Sequence, residues 1–385
     1  MAGYIFAVSK ESWNDFCSEN LKHGHFSPYT PQITEELQNN NRSRKSLNKV
    51  ISAVFGDMIT MKPGDNVYFF SNRKIYGIGE LVCVGNDCKY DNYLNASSLL
   101  PNFQIELQDV LTDKSSRARW VCFFKPASYF FRKGADMDDI LRYRPSAFKM
   151  LRAFENVSFI KIDEVENRAL KEFISLINEE SFNDIDASSF KFSSSLHDEL
   201  RSRNLSSHIM DLSKALLNAE NRDYVISEMF IEAFLLQEIA NDSCQPIGHW
   251  DYLTHQLIAS PFKPLSYIDK LDIYGYRYSN HYQGTPRLIQ KYLVIELKKG
   301  KINAAALEQT MQYVDWICSE YASNDYSRIE AYVVGNDTVR NIDYIITDKC
   351  QRDYIVETHP VKTQKWNSLK ILKYSIDTTI HFESL

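Results

Sequence analysis

The segment 291–301, KYLVIELKKGK, constrains the fold of this chain more than any other feature. It begins as a compact apolar strand, and it is followed by a long stretch with helical spacing of apolar residues (304–322) and a second apolar strand, IEAYVVG. Upstream, SEMFIEAFLLQEIA also has a helical period, and IDKLDIYG supplies another apolar segment. A helix, two strands, a helix and a strand in this order predict an α/β domain whose mixed sheet is buried between helices.

The length of 385 residues exceeds one ordinary hydrophobic core, so two domains are expected. The stretch SFNDIDASSFKFSSS, residues 181–195, lies between two helix-like runs and has the composition of a linker. We therefore predict an N-terminal domain over 1–180, a linker with a connecting helix over 181–221, and a C-terminal domain over 222–385.

Short alternating segments separated by turn signals dominate the N-terminal domain, with helices predicted over 9–22 and 164–178. This pattern indicates an α+β domain. The predicted strands are GYIFAV, NVYFF, KIYGIGELVCV, FQIELQDV and ARWVCFF.

The composition excludes several classes of protein. No apolar run approaches the ~20 residues of a membrane span, and no secretory signal begins the sequence, so we expect a cytoplasmic protein without a membrane partner. The seven cysteines form no CxxC pair, which favours buried free thiols over a structural zinc site. With a net charge of −6, nucleic acid would have to be bound by a local groove and metal ions.

Ionisable residues interrupt the apolar strands at three places. Glu296 and Lys298 are two residues apart on one strand and share a face, while the carbonyl of Leu297 lies between them. Asp272, on the upstream strand, could converge with Glu296 on one cation. Such hard oxygen ligands suit Mg²⁺ or Mn²⁺ far better than zinc.

These residues, followed by a helix that carries Gln309 and Tyr313, resemble the C-terminal nuclease domain of NucS-type endonucleases and their Shedu-type relatives in the PD-(D/E)XK superfamily. The resemblance covers residues from about 224 to 385. It implies a restriction-endonuclease-like mixed sheet flanked by helices, and metal-dependent hydrolysis of phosphodiester bonds. In this interpretation Asp272, Glu296 and the Leu297 carbonyl hold Mg²⁺ or Mn²⁺, and Lys298 orients the attacking water.

The same resemblance implies further site residues. A glutamate on the first helix should join the site: Glu228 is the preferred candidate, and Glu232, one turn later, is the alternative. Gln309 and Tyr313 would support the site or touch the substrate backbone, since they share one helical face. The three histidines of this region, His249, His255 and His281, are expected to be structural.

The spacing from Asp272 to Glu296 is longer than the hairpin usual in these families. It predicts an enlarged loop beside the site, and it leaves Asp269 as an alternative to Asp272. We prefer Asp272 because Leu271 and Ile273 make its strand continuous.

In the N-terminal domain, the run 55–85 resembles the β-barrel of the PUA-like group, which includes EVE, ASCH and YTH domains. The resemblance implies binding of RNA, or of DNA whose modified base is flipped into an aromatic pocket. Stacking on an aromatic ring contributes ~1–3 kcal/mol per base. Trp13, Tyr68 and Trp120 are the candidate rings, and Arg144 is a candidate for phosphate contact.

Together these resemblances imply a Mg²⁺-dependent endonuclease with a domain that senses modified or unusual nucleic acid in restriction or antiviral defence; DNA is preferred to RNA as its substrate, and RNA stays open as the alternative. Two alternatives are a repair nuclease for mismatches or branched DNA and a nucleic-acid-binding protein that does not cleave. A homodimer is expected by analogy, because nucleases of this fold often use two active sites for a double-strand break.

Overall fold

The structure, a computed structural model, describes residues 1–28, 41–92, 119–153, 158–180, 190–217, 226–259, 269–281, 284 and 287–385. The chain divides into two compact units, Met1–Val225 and Ile226–Leu385. Both units combine helices with sheets that contain parallel and antiparallel pairs, which confirms the predicted mixed α/β character. No helix in the described ranges is long and apolar enough to cross a membrane.

The first unit is built on an eight-stranded sheet. Six of its strands follow the order β2-β6-β4-β3-β1-β8; of the other two, β5 pairs with β6 and β7 pairs with β4. Strands β1 and β3 pair in parallel, and the other pairs are antiparallel. Its strands are β1 (Gly3–Ala7), β2 (His25–Phe26), β3 (Asn66–Ser71), β4 (Lys74–Leu81), β5 (Lys89–Asp91), β6 (Trp120–Pro126), β7 (Ala135–Asp136) and β8 (Phe159–Ile162).

Helices pack around this sheet. The predicted helix over 9–22 is divided into a short α-helix and a π-helical turn, Cys17–Leu21. The predicted strand 103–110 lies outside the described residues. The α-helices of the first unit are α1 (Trp13–Phe16), α2 (Asn41–Ile59), α3 (Met137–Tyr143), α4 (Glu164–Ile177), α5 (Ser195–Arg201) and α6 (Ser213–Leu217).

The segment predicted as a linker and connecting helix contributes to the core of the first unit. Leu196, Leu200 and Leu205 are buried in one cluster with residues of the sheet, among them Tyr90 and Phe123. The helix Ser195–Arg201 thus belongs to the first compact unit, because its apolar face is buried against the preceding sheet, and the domain bounds 1–180 and 222–385 stay predictions. The units separate after Val225.

The elements of the second unit are α7 (Glu228–Ala240), β9 (Tyr252–Ile258), β10 (Lys270–Tyr278), β11 (Ile289–Leu297), β12 (Lys301–Ile302), α8 (Ala304–Glu320), β13 (Ile329–Gly335), β14 (Asp337–Thr338), α9 (Ile342–Lys349), β15 (Arg352–Thr358), β16 (Val361–Trp366), β17 (Leu369–Ile376) and β18 (Ile380–Ser384). Six of these strands form a sheet with the order β18-β17-β13-β11-β10-β9. Helix α8 connects the parallel neighbours β11 and β13, as a crossover between parallel strands requires.

Local signals explain where the two main helices begin. The Ser227 hydroxyl accepts a hydrogen bond from the Phe230 N–H at 3.1 Å, and the Asn303 side chain accepts one from the Ala306 N–H at 3.0 Å. Such side-chain caps satisfy N–H groups that have no partner within the helix. Helix α7 is buried on nearly all sides, which places it inside the second unit.

The long spacing between Asp272 and Glu296 is used by two nine-residue strands, β10 and β11. Their connection follows Tyr278, six residues along the strand from Asp272, or about 20 Å at ~3.3 Å per residue. The prediction of an enlarged loop beside the site is therefore wrong, because the connection between β10 and β11 lies at the end of this hairpin that is far from Asp272.

Candidate active site

Asp272 and Glu296 lie side by side on neighbouring antiparallel strands. Ile273 pairs with Ile295, so the same register sets Asp272 opposite Glu296 one step further along. Residues directly opposite in an antiparallel pair project from the same face, with Cβ atoms ~5 Å apart. The fold thus brings together the two carboxylates that were predicted to converge.

Protein donors hold both carboxylates. Asp272 Oδ2 accepts a hydrogen bond from the Leu297 N–H at 2.7 Å, and Lys298 Nζ donates to Glu296 Oε1 at 2.6 Å. The other carboxylate oxygen of Glu296, Oε2, is buried and has no hydrogen-bond partner among the described residues. A buried carboxylate oxygen without a partner is costly, and it marks a place where a further positive ligand would stabilise the structure.

The electrostatics reflect this crowding. Burial, followed by the charges of Glu232 and Glu296, raises the pKa of Asp272 well above its usual range. Burial also raises the pKa of Glu296 to about 7, although the hydrogen bond from Lys298 opposes the shift. Burial lowers the pKa of Lys298, but its bond and attraction to Glu296 outweigh this effect and leave the pKa raised. Lys298 therefore remains an ammonium ion beside the carboxylates.

Helix α7 brings both candidate glutamates to these residues. Glu228 is exposed, and its Oε2 accepts a hydrogen bond from the Lys299 N–H at 2.9 Å. Glu232 is only 1% exposed, and its charge acts on Asp272. The buried position next to Asp272 thus belongs to Glu232, the residue that the sequence analysis ranked second. We call Glu228, Glu232, Asp272 and Glu296 the carboxylate cluster.

Gln309 and Tyr313 pack behind the start of β10. Gln309 Nε2 donates to the Tyr313 hydroxyl at 2.9 Å, and this hydroxyl donates to the Lys270 carbonyl at 3.2 Å. Tyr313 is 3% exposed, and burial raises the pKa of its hydroxyl. The buried ring supports the strand that carries Asp272, and it presents no surface to a nucleic acid.

A strand that the sequence analysis missed completes the site. Strand β9 lies beside β10 and carries His255, whose Nδ1 lies 3.1 Å from Glu232 Oε1, and Gln256, whose amide reaches Glu232 Oε2 at 3.1 Å. The seven-residue run YLTHQLI, with its flanking Gly248 and Pro261, carried a recognisable strand signal. Of the other histidines, His249 pairs with Asp242 and His281 is exposed.

The aromatic residues predicted to bind bases are mostly core residues. Tyr68 is fully buried with its hydroxyl donating to Asn167 Oδ1, and Trp120 is 1% exposed with its indole N–H donating to the Ile51 carbonyl. Neither ring has a face free for stacking. Trp13 is partly exposed but already packs on Tyr76.

Arg144, the predicted phosphate contact, is half exposed. Its guanidinium pairs with the Glu172 carboxylate at 2.8 Å. Since the positive charge already has a partner at the surface, phosphate binding here would compete with that pair.

The carboxylate cluster has the donor chemistry of a site for a hard divalent cation, because Asp272 lies beside Glu296 and no described residue bonds to Glu296 Oε2. Within the described ranges, however, no three His, Cys, Asp or Glu side chains are arranged as a ready-made set of ligands. Asp272 and Glu296 fit such an ion best, because they are adjacent and repel each other. The Leu297 carbonyl remains a predicted ligand.

Comparison with known proteins does not identify a family. No protein-family model matches the sequence, and a search of curated proteins found no significant match. The function is therefore argued from the residues of the cluster alone.

Proposed function

We propose that the second unit is a metal-dependent nuclease domain with a restriction-endonuclease-like fold, and that it hydrolyses phosphodiester bonds in DNA. The observation that carries this proposal is the register that sets Asp272 beside Glu296, with Lys298 bonded to Glu296 two residues further on. Carboxylates and a lysine at one end of an antiparallel strand pair are an arrangement that can act on a negatively charged phosphate. This interpretation explains the arrangement better than a simple surface ion pair does.

The position of each residue indicates its role in the proposed reaction. Asp272, Glu296 and the Leu297 carbonyl would hold Mg²⁺ or Mn²⁺, with Glu232 or Glu228 completing the charge around it. Bound there, the ion would polarise the scissile phosphate and lower the pKa of water.

Lys298 is the group that can reach the phosphate. Its side chain is 30% exposed, so the ammonium can contact solvent or substrate while it remains within hydrogen-bond distance of Glu296. A fixed ammonium at this place stabilises negative charge that develops on the phosphate oxygens and orients the attacking water. Gln309 and Tyr313 support the start of β10 through the hydrogen bond from the Tyr313 hydroxyl to the Lys270 carbonyl.

For the first unit we propose a PUA-like domain that recognises unusual or modified nucleic acid. Trp13 remains the candidate ring, because it is the only one of the three predicted rings with partial exposure among the described residues. Fused to a nuclease, such a domain would limit hydrolysis to particular substrates, as restriction or antiviral defence requires.

The test is substitution of the lysine. Lys298→Ala should reduce cleavage of DNA in Mg²⁺ or Mn²⁺ by a factor of about 10² or more, as loss of a group that stabilises transition-state charge does in other enzymes. Lys301→Ala is the matched control, because Lys301 is a neighbouring, exposed lysine whose partner Asp337 also contacts Lys373. Unmodified, cytosine-modified and single-stranded DNA, together with RNA, should be compared. Cleavage by Lys298→Ala at the rate of the parent would contradict the proposed site.

A further inference from the structure

Three polar residues form a row across three neighbouring strands. Leu271 pairs with Leu257 and Ile273 with His255, so the register sets Asp272 beside Gln256 on one side as well as beside Glu296 on the other. Gln256, Asp272 and Glu296 thus share one face of the sheet. Gln256 has no part in the proposed hydrolysis described so far.

The amide of Gln256 connects two carboxylates. Its Nε2 lies 3.2 and 3.1 Å from the two carboxylate oxygens of Glu232 and 3.4 Å from Asp272 Oδ1. The Leu297 N–H already holds Asp272 Oδ2, so a donor faces each oxygen of Asp272. A neutral amide can hold two carboxylates together without cancelling their charge, whereas a lysine in its place would compete with a cation.

The backbone is distorted to achieve this contact. Gln256 has a φ of +54°, in the left-handed region that residues other than glycine seldom adopt. Successive side chains in a regular strand point to opposite faces, yet His255 and Gln256 both contact Glu232. Strained backbone of this kind persists only where surrounding contacts maintain it, and it concentrates at functional sites.

On the basis of the nuclease function proposed above, we propose that Gln256 is a positioning residue for the metal site. It ties Glu232 on α7 to Asp272 on β10 and fixes the orientation of the Asp272 carboxylate. His255 supports the arrangement through its own contact with Glu232 Oε1. Gln256 acts through the carboxylates and does not touch the phosphate.

The experiment is a titration of the full-length protein with Mn²⁺, followed by calorimetry, together with cleavage kinetics. Gln256→Ala should weaken Mn²⁺ binding about tenfold or more, as loss of residues that orient metal ligands does elsewhere. It should lower kcat and leave the KM for DNA unchanged. Thr254→Val, a buried and nearly isosteric change on the same strand, should match the parent in both measurements.

Gln256→Asn separates the side chain from the backbone. Asparagine tolerates a positive φ well, but its amide is one methylene shorter and cannot bridge both carboxylates. It should therefore behave like Gln256→Ala, and it decides the question if the alanine variant does not fold in EDTA. Mn²⁺ binding at the affinity of the parent in Gln256→Asn would overturn the positioning role.

Failure of this inference differs from failure of the proposed function. If Asp272→Asn loses Mn²⁺ binding while both Gln256 variants keep it, the nuclease site stands and the role of Gln256 is wrong. If the parent neither binds Mn²⁺ nor cleaves any nucleic acid, both proposals are wrong.

Discussion

At the scale of single residues, Asp272 is the most informative position of the carboxylate cluster. It lies between Gln256 and Glu296 in the strand register, and burial, together with its two neighbouring carboxylates, raises its pKa. Asp269, the alternative candidate, precedes the strand, and its backbone carbonyl accepts a hydrogen bond from the Ala259 N–H. The structure thus favours Asp272 as the residue that faces Glu296.

Replacing this carboxylate should uncouple stability from metal. Asp272→Asn replaces a crowded, partly buried carboxyl group, whose charged form is unfavourable there, with a neutral amide, so the variant should unfold at the same temperature as the parent in EDTA or higher. Mn²⁺ at ten times its Kd should stabilise the parent by about 1.4 kcal/mol and the variant much less. Thermal unfolding with and without Mn²⁺ measures both effects, and Asp269→Asn is the control. An equal response of the parent and Asp272→Asn to Mn²⁺ would show that this carboxylate is not a ligand.

The burial of Lys161 in the first unit leads to a prediction about how stability depends on pH. It is 5% exposed, with Nζ 2.9 Å from Thr60 Oγ1. Its pKa is lowered to about 7, chiefly by burial; Asp65 opposes this shift, and the charges of Lys62 and Lys89 add to it. Between about pH 7 and the ordinary lysine pKa of ~10.4, the unfolded chain therefore binds a proton that the folded chain does not.

The stability that Lys161 influences should therefore rise with pH above about 7, by at most ~1.4 kcal/mol per pH unit. Lys161→Met should remove this dependence and should be more stable than the parent at pH 7. Urea unfolding of both proteins between pH 7 and 9 gives the difference, in which titration of other groups cancels. Lys125→Met, at an exposed position of β6, should leave the pH dependence unchanged. A constant difference between parent and Lys161→Met over this range would contradict the assignment.

At the scale of elements, one side chain ties helix α4 to the segment 149–151, which precedes strand β8. Glu166 is 1% exposed, and its carboxylate accepts hydrogen bonds from three consecutive backbone N–H groups, those of Lys149, Met150 and Leu151, at 2.7, 2.5 and 3.0 Å. Each unpaired buried N–H costs about 1–3 kcal/mol. This carboxylate thus fixes the segment 149–151 against the helix.

Glu166→Ala should therefore lower the free energy of unfolding by more than ~3 kcal/mol. Glu164→Ala, a change at a partly exposed position in the first turn of the same helix, should alter it by less than ~1 kcal/mol. Denaturant unfolding followed by circular dichroism measures both changes. Similar losses in the two variants would mean that water replaces the carboxylate at the loop.

The success of sequence-based prediction differs among the elements. The helix predicted over 164–178 is observed as Glu164–Ile177, because its Asp163 cap and apolar spacing are local signals. The convergence of Asp272 and Glu296 was predictable from strand alternation and from the resemblance. Gln256 was not, since its contacts depend on a positive φ that no spacing of residue types encodes.

The burial of the predicted base-stacking residues could not be read from the sequence. Alternation in NVYFF indicates two faces of a strand, but it does not reveal that both are covered. In the fold, β3 lies inside the sheet between β1 and β4, and the hydroxyl of Tyr68 bonds to Asn167 on helix α4. Tyr68 was therefore a reasonable candidate from sequence and a core residue in the structure.

At the scale of the whole molecule, the border between the units decides which fragments fold alone. The helix 195–201 places Leu196 and Leu200 in the core of the first unit, together with Tyr90 and Phe123. A fragment that begins at Leu196 would carry these leucines without the sheet that covers them. A fragment that begins at Ile226 would not, and it contains every residue of the carboxylate cluster.

We therefore expect the fragment 226–385 to fold and remain monodisperse, and the fragment 196–385 to aggregate. Replacing Leu196 and Leu200 with serine should make the longer fragment more soluble. Exposed apolar clusters are a common cause of association, and removing them should reverse it. Size-exclusion chromatography and thermal unfolding of the two fragments provide the measurement. The shorter fragment should also show the Mn²⁺-dependent rise in unfolding temperature expected of the full chain, because Asp272, Glu296 and Glu232 all lie within it. An unfolded 226–385 fragment alongside a soluble, cooperatively folded 196–385 fragment would show that the second unit needs residues 196–225 to fold.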